Sequence, residues 1–142
     1  MNNSFEIFGG TPLNGEVVPQ GAKNEALQII AATLLTSHTV TISNIPDILD
    51  VRMLIELLKD IGVEVQQFSP NKYSFKAQNI NLEHLISDEY KKKSGKLRGA
   101  VMLAGPLLAR FKKAYIPQPG GDKIGRRRLD THILGFEKLG AK

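Results

Sequence analysis

Apolar residues recur along the first half of the chain at alternating helical and strand periods. Over residues 21–37 they recur every three or four positions, which predicts a helix with a wide buried face. Residues 38–46 alternate between apolar and polar positions, as in a half-buried strand. A second helical pattern covers residues 51–62, with Asp50 as a candidate cap, and residues 63–77 predict a β-hairpin.

The remaining segments carry shorter patterns of the same kinds. Residues 5–10 and 13–19 predict two short strands that are interrupted by Gly and Pro. In the second half, residues 94–111 predict a helix, residues 113–118 a short strand, and residues 129–142 a helix that ends at its last glycine. The chain therefore predicts a mixed α/β (α+β) fold.

A weak internal repeat relates the two halves. Residues 35–62 and 108–140 share the order helix, strand, helix, and the second copy is longer within the connection 118–128. The second copy stops after its second helix, before any hairpin, so we expect the second repeat to be incomplete. The lysine-rich segment 87–96 between the copies is typical of a solvated connector.

Composition excludes several kinds of chemistry. The 142 residues are 42% apolar and 23% charged, which is typical of one globular domain with its own core. The chain has no Cys, which excludes disulfides, zinc–thiolate sites and thiol nucleophiles and agrees with a cytoplasmic location. The three histidines lack metal-ligand spacing. The N-terminus does not have the layout of a signal peptide, and residues 26–35 are too few to span a membrane.

The net charge of +5 is concentrated at one end. Residues 110–142 contain nine Lys or Arg against three Asp or Glu, which predicts an anionic partner. Nucleic acid is the competing interpretation, but aromatic residues make up only 6% of the chain and none lies among Arg126, Arg127 and Arg128. No helix-turn-helix, RNA-recognition or zinc-finger pattern occurs. We therefore expect a small anionic ligand and no nucleic acid.

The segment QPGGDKIGRRR (118–128) is the strongest candidate for anion binding. Its glycines allow backbone N–H groups to turn toward a ligand, and its arginines supply forked donors. The helix predicted to begin near Leu129 and Asp130 adds a positive dipole end. A mobile surface loop is the alternative interpretation, and the pattern of a P-loop is absent.

Three polar residues at predicted helix starts are further candidates. Lys23 and Asn24 lie in the first turn of the first helix, where a lysine is unfavourable unless an anion lies nearby. A lysine extending to solvent, with Asn24 as a capping residue, explains them equally well. Arg98 precedes small and apolar residues, and a salt bridge to a surface acid is its alternative explanation.

Four segments carry a family resemblance: LNGEVVPQGAKNEALQIIAATLL, ISNIPDILDV, LRGAVMLAGPLLARF and PGGDKIGRRRLDTHILGFEKLGA. Together they resemble the N-terminal portion of the UDP-N-acetylglucosamine enolpyruvyl transferases (1-carboxyvinyltransferases) over nearly the whole chain. The shikimate-pathway enolpyruvyl transferases fit these segments less well. The resemblance implies part of an inside-out α/β barrel with two lobes. It assigns residues 1–20 to the opposite lobe, 21–86 to a first repeat, and 87–142 to an incomplete repeat with the catalytic loop 117–128.

The resemblance also implies an activity. Such enzymes transfer the enolpyruvyl group of phosphoenolpyruvate to the 3′-hydroxyl of UDP-N-acetylglucosamine and release phosphate, in the first committed step of peptidoglycan synthesis. The reaction proceeds by addition and elimination, without a metal or another cofactor. The expected partners are the two small substrates and the missing remainder of the enzyme, and no membrane is involved. We expect the chain to be inactive alone; a stand-alone UDP-sugar or phosphate-binding module is the alternative.

The resemblance assigns roles residue by residue. Lys23 and Asn24 match the pair at the phosphoenolpyruvate site, with Lys23 also catalytic, and Arg98 matches an arginine of the UDP-sugar site. Arg127 matches an arginine of the loop that contacts both substrates, and the nucleotide side is lined by the residues that follow it, Arg128, Leu129, Asp130 and Thr131. The family has Pro where this chain has Arg128 and Val where it has Leu129.

Asp122 occupies the position at which most of these enzymes have a cysteine that donates a proton to the methylene carbon. A protonated carboxyl is able to fill that role. However, Lys123 and the three arginines at 126–128 should lower the pKa of Asp122, so donation requires desolvation or bound anions. Because a carboxylate is a weak nucleophile toward an epoxide, we expect resistance to fosfomycin.

Overall fold

A computed structural model of the protein describes residues 4–118, 120 and 128–142. In this part of the chain the helices are α1 (Lys23–Ala32), α2 (Leu49–Asp60), α3 (Asp88–Ser94), α4 (Ala104–Phe111) and α5 (Asp130–Lys138). Short 3-10 segments occur at Thr33–Leu35, His84–Ile86 and Arg98–Leu103. The strands are β1 (Thr39–Ile42), β2 (Glu64–Ser69) and β3 (Lys72–Lys76). The predicted order helix, strand, helix, hairpin is confirmed.

The three strands form one antiparallel sheet in the order β1-β3-β2. Phe75 lies in the central strand, opposite Val40 on one side and Val65 on the other. Its side chain is fully buried in a core that also contains Ile30 of α1 and Leu54 of α2. The sheet and the first two helices are therefore held together by one continuous apolar core, and this core fixes the position of α1 relative to α2.

Two helices end at glycine as the sequence predicts. Gly62 after α2 and Gly140 after α5 have φ angles of +95° and +96°, a backbone conformation that other residues rarely adopt. In each case the glycine N–H and the next N–H donate to carbonyls of the last helical turn, which closes the helix. The predicted ends of both helices are thus confirmed, with their hydrogen bonds.

The continuous helix predicted over residues 94–111 is wrong. The structure has instead the end of α3, the 3-10 segment Arg98–Leu103, and then α4. The backbone leaves the helical region at Leu97, whose φ of −116° and ψ of 111° are extended, and this separates α3 from the 3-10 segment. Pro106 lies inside α4, near its start, where its missing N–H would have no partner within the helix.

The connector predicted over residues 87–96 is also wrong, because most of it is α3. The hydroxyl of Ser87 caps this helix by accepting a hydrogen bond from the N–H of Tyr90. The ring of Tyr90 is buried in the core. Lys93 donates to both carboxylate oxygens of Asp60, at 3.0 and 2.8 Å. This segment therefore packs against α2 and is not merely solvated.

The strands predicted over residues 5–10, 13–19 and 113–118 are absent from the structure. Alternation of apolar and polar side chains permits an extended backbone, but a strand also needs a neighbour with which to exchange hydrogen bonds. Within the described residues these segments have no such neighbour. Apolar side chains of the first two segments remain highly exposed, including Phe5, Leu13 and Val17.

Arg110 of α4 connects three parts of the fold. Its Nη1 atom donates to the carbonyl oxygens of Leu34, Thr36 and Ala77, at 3.0, 2.9 and 2.6 Å. These carbonyls lie after α1 and after β3, where helix and sheet leave backbone acceptors without partners. One guanidinium therefore holds α4 against both elements. No helix in the described part of the chain is long and apolar enough to span a membrane.

Candidate functional site

A cleft of about 370 Å³ lies where α1, α2 and the 3-10 segment Arg98–Leu103 meet the start of α5. Polar and charged side chains line it together with apolar ones from the same elements: Lys23, Asn24, Leu27, Gln28, Asp50, Arg98, Gly99, Val101, Met102, Arg128, Leu129 and His132. The packing of α1 against α2 and against the 3-10 segment brings these distant parts of the sequence together.

Lys23 is the first residue of α1, and its counter-ion is Asp50 of α2. The Nζ atom donates to Asp50 Oδ2 at 2.9 Å. The role of Asp50 as a helix cap was predicted wrongly: Ile48 is the cap residue of α2, and Asp50 lies in the first turn. Asn24 is not the cap residue of α1 either, since that position is Ala22, which makes no side-chain hydrogen bond.

Most of the described residues that were predicted to bind substrate lie together in this cleft. Lys23, Asn24, Arg98, Arg128 and Leu129 all line it. Asp130 is linked to the cleft because its carboxylate forms an ion pair with Arg128. The structure thus places two residues of α1, one arginine of the 3-10 segment and the start of α5 around a single cleft.

Other predicted residues are not placed there. Thr131 is exposed in the first turn of α5 and is not among the residues that line the cleft. Asp122 and Arg127 lie outside the described residues, as do Lys123 and Arg126. Their assigned roles therefore remain predictions.

Seven residues of the cleft were not predicted as site residues: Leu27, Gln28, Asp50, Gly99, Val101, Met102 and His132. Asp50 is the most informative, because a lysine at a helix start is unfavourable without an anion nearby. That rule gave a nearby anion as one of two explanations for Lys23, and it did not say which residue supplies the anion. His132 was interpreted as a capping or packing residue; its position three residues after Leu129 turns it toward the same cleft.

The arrangement suits an anionic ligand that also carries an apolar or ring portion. Lys23, Arg98 and Arg128 provide ammonium and guanidinium donors, and Asn24 provides an amide. Leu27 and its neighbours from the 3-10 segment provide the apolar wall. Among the described residues, no group of three or more His, Asp or Glu side chains is placed to bind a metal ion.

Comparison with known proteins identifies the family of the chain. The family model described as EPSP synthase (3-phosphoshikimate 1-carboxyvinyltransferase) matches residues 7–142. The chain belongs to this family. This confirms the prediction that the chain belongs to a family of enolpyruvyl (carboxyvinyl) transferases.

Relatives named UDP-N-acetylglucosamine 1-carboxyvinyltransferase confirm the predicted resemblance. One from Bacteroides fragilis is 62% identical over 138 residues, which are 97% of this chain and 32% of the relative. One from Porphyromonas gingivalis is 56% identical over the same shares of both proteins. The chain spans about a third of the length of the curated relatives it matches.

A solved structure supports the fold. The enolpyruvyl transferase NikO from Streptomyces tendae matches with a TM-score of 0.56 and 23% identity, over 72% of this chain and 23% of that protein. At this level of identity the likeness concerns the fold alone. Together with the family match, it confirms the predicted α/β fold class as part of the enolpyruvyl transferase fold.

Proposed function

We propose that this chain supplies part of the active site of a UDP-N-acetylglucosamine enolpyruvyl transferase. The reaction would transfer enolpyruvyl from phosphoenolpyruvate to the 3′-hydroxyl of the UDP-sugar with release of phosphate, in cytoplasmic peptidoglycan synthesis that serves cell-wall growth and division. One observation carries the proposal: residues from three separate segments, each assigned to substrate by resemblance, line a single cleft. The identity to relatives of that name supports it.

Within this proposal the cleft has two sides. Lys23 and Asn24, at the start of α1, contact phosphoenolpyruvate, and their exposed positions leave them open to a ligand. Arg98 binds the UDP-sugar from the 3-10 segment. Arg128 and Leu129 line the nucleotide side, to which Asp130 and Thr131 are also assigned, and Arg127 is assigned to both substrates.

We also propose that Asp122 donates the proton to the methylene carbon of the enolpyruvyl group. A carboxyl at this position instead of a thiol predicts resistance to fosfomycin. Incubation of the active enzyme with fosfomycin, followed by mass spectrometry, should find full activity and no adduct. Time-dependent inactivation with an adduct on Asp122 would contradict the assignment.

The proposal extends to the domain organisation. Residues 1–20 would belong to the opposite lobe, 21–86 to a first repeat and 87–142 to an incomplete second one. The 142-residue chain alone is then inactive, because the acid and the phosphate-clamping arginine expected in the rest of the enzyme are not among its residues. An assay for phosphate release from both substrates tests this, and turnover at an enzymatic rate would refute it.

A shikimate-pathway activity is the second candidate, because the matched family model is described by 3-phosphoshikimate. The two candidates predict different ligands. Under the first, UDP-N-acetylglucosamine binds and 3-phosphoshikimate does not compete with it. Under the second, 3-phosphoshikimate binds in preference. Saturable UDP-sugar binding without turnover in any longer form would favour the stand-alone binding module.

A further inference from the structure

Lys23 occupies an electrostatically unfavourable position. The N-terminal end of a helix carries a positive partial charge, which repels an ammonium group by about 0.3–1 kcal/mol at an exposed site. Ala22 before it has no polar side chain with which to bind the first N–H groups. Glu25 in the first turn of α1 also carries a negative charge, but the carboxylate paired with Lys23 is that of Asp50, whose Oδ2 lies 2.9 Å from Lys23 Nζ.

Asp50 is placed for this contact by the packing of the two helices. It lies in the first turn of α2, where a negative charge is itself favoured by the helix dipole. The two residues are 27 positions apart, and they meet because α1 packs against α2. Their side chains are 52% and 39% exposed, so the pair lies on the wall of the cleft within reach of a ligand.

The contact orients Lys23 without using all of its hydrogen-bonding capacity. An ammonium has three N–H donors, and Asp50 accepts from one of them. The other two remain available for oxygen atoms of a ligand. A free lysine side chain loses about 2 kcal/mol of rotamer entropy when it is fixed. The bond to Asp50 removes part of that loss before the ligand arrives.

We propose that Asp50 is a positioning residue that holds the ammonium of Lys23 for a phosphate or carboxylate group of the ligand. This inference rests on the proposed function, which makes Lys23 a substrate contact. Asp50 has two opposing effects on such a ligand. Its charge repels the anion, while its acceptor oxygen fixes the lysine, and two substitutions separate these effects.

Asp50→Asn removes the charge and keeps an acceptor oxygen, whereas Asp50→Ala removes both. Inorganic phosphate is the probe, titrated against the chain and followed by the NMR shifts of the Lys23 and Asn24 amides. We expect phosphate to bind the Ala variant about three- to tenfold more weakly than the Asn variant. In a Lys23→Met background the two variants should bind equally. Equal dissociation constants with Lys23 present would overturn the proposal.

A second readout needs no ligand. ¹³C relaxation of the Lys23 ε-carbon, assigned from its loss in Lys23→Met, should show a restricted side chain in the wild type and in Asp50→Asn. The same carbon should be mobile in Asp50→Ala, and equal mobility in all three proteins would overturn the proposal. This comparison decides the question even if no variant binds phosphate.

Matched controls separate this inference from the proposed function. Asp47→Asn and Asp47→Ala make the same changes at an exposed acid that pairs with Arg52 away from the cleft, and they should alter neither readout. UDP-N-acetylglucosamine titration tests the proposed function independently. If that sugar does not bind but Lys23 is mobile only in Asp50→Ala, the proposed function fails and the positioning role stands.

Discussion

Gly21 is the residue whose replacement should most directly disturb the start of α1. A Cβ atom built at this position would lie 1.9 Å from the carbonyl oxygen of Asn44 and 3.3 Å from Cδ of Pro46. Real Cβ atoms essentially never approach other heavy atoms within 3.0 Å, so Gly21→Ala requires a displacement of at least 1.1 Å. Gly21 thus allows α1 to begin against the connection between β1 and α2.

The opposing backbone is not free to yield. Asn44 has a φ of +60°, and the next N–H, of Ile45, donates to the carbonyl of Asn71 in the hairpin turn at 2.9 Å. The side chain of Ile45 is buried in the core. We therefore expect Gly21→Ala to lower the free energy of unfolding by about 2–3 kcal/mol, in the range of overpacked sites.

Urea denaturation followed by circular dichroism measures this change. Gly135→Ala is the matched control, because a Cβ there meets nothing within 4 Å and the residue lies inside α5. It should raise the free energy of unfolding by about 0.5–1 kcal/mol. The reasoning is refuted if Gly21→Ala unfolds at the wild-type urea concentration, or if both substitutions destabilise the chain equally.

Two further predictions concern stability. Arg110→Met leaves three carbonyl oxygens without their donor and should lower the free energy of unfolding by about 2–3 kcal/mol in urea denaturation. The control Lys92→Met, on the exposed side of α3, should change that free energy by less than about 0.5 kcal/mol. Equal effects of the two substitutions would contradict the bridging role of Arg110. Burial raises the pKa of Tyr90 above its ordinary value of 10.0. As the pH rises, the unfolded state therefore loses the phenol proton before the folded state does. The free energy of unfolding should fall by about 1.4 kcal/mol per pH unit above pH 10. Tyr90→Phe should remove this loss of stability at high pH. A smaller loss should remain because the hydrogen bond to Asp60 raises the pKa of Lys93. If the free energy of unfolding depends on pH equally in Tyr90→Phe and wild type, Tyr90 does not titrate as described.

The sequence predicted those elements whose signals are local. The periodicity of α1 and α2, the alternation in β1 and the glycine at the end of α5 lie within single segments, and the structure confirms them. The strands predicted over residues 5–10, 13–19 and 113–118 failed because strand formation depends on a partner elsewhere. The long helix over 94–111 failed because its apolar pattern continues through Leu97, where the backbone is extended and not helical.

The residues of the candidate site likewise fall into those that local sequence signals predict and those that only the tertiary structure reveals. Lys23, Asn24 and Arg98 were identified from local motifs and from resemblance, and all three line the cleft. Asp50 was not identified as a site residue, because its contact with Lys23 depends on how two helices pack. Residue type and position pointed to an anion near Lys23 as one of two explanations, and only the tertiary structure shows that Asp50 is its carboxylate partner.

A calorimetric titration of the chain with UDP-N-acetylglucosamine tests most directly whether this cleft binds a UDP-sugar. We expect saturable binding at one site, weakened at least about tenfold by Arg98→Ala, where a charge-assisted contact is lost. A duplex DNA control should show no comparable binding. Absence of UDP-sugar binding, or binding that Arg98→Ala leaves unchanged, would show that the cleft is not a UDP-sugar site.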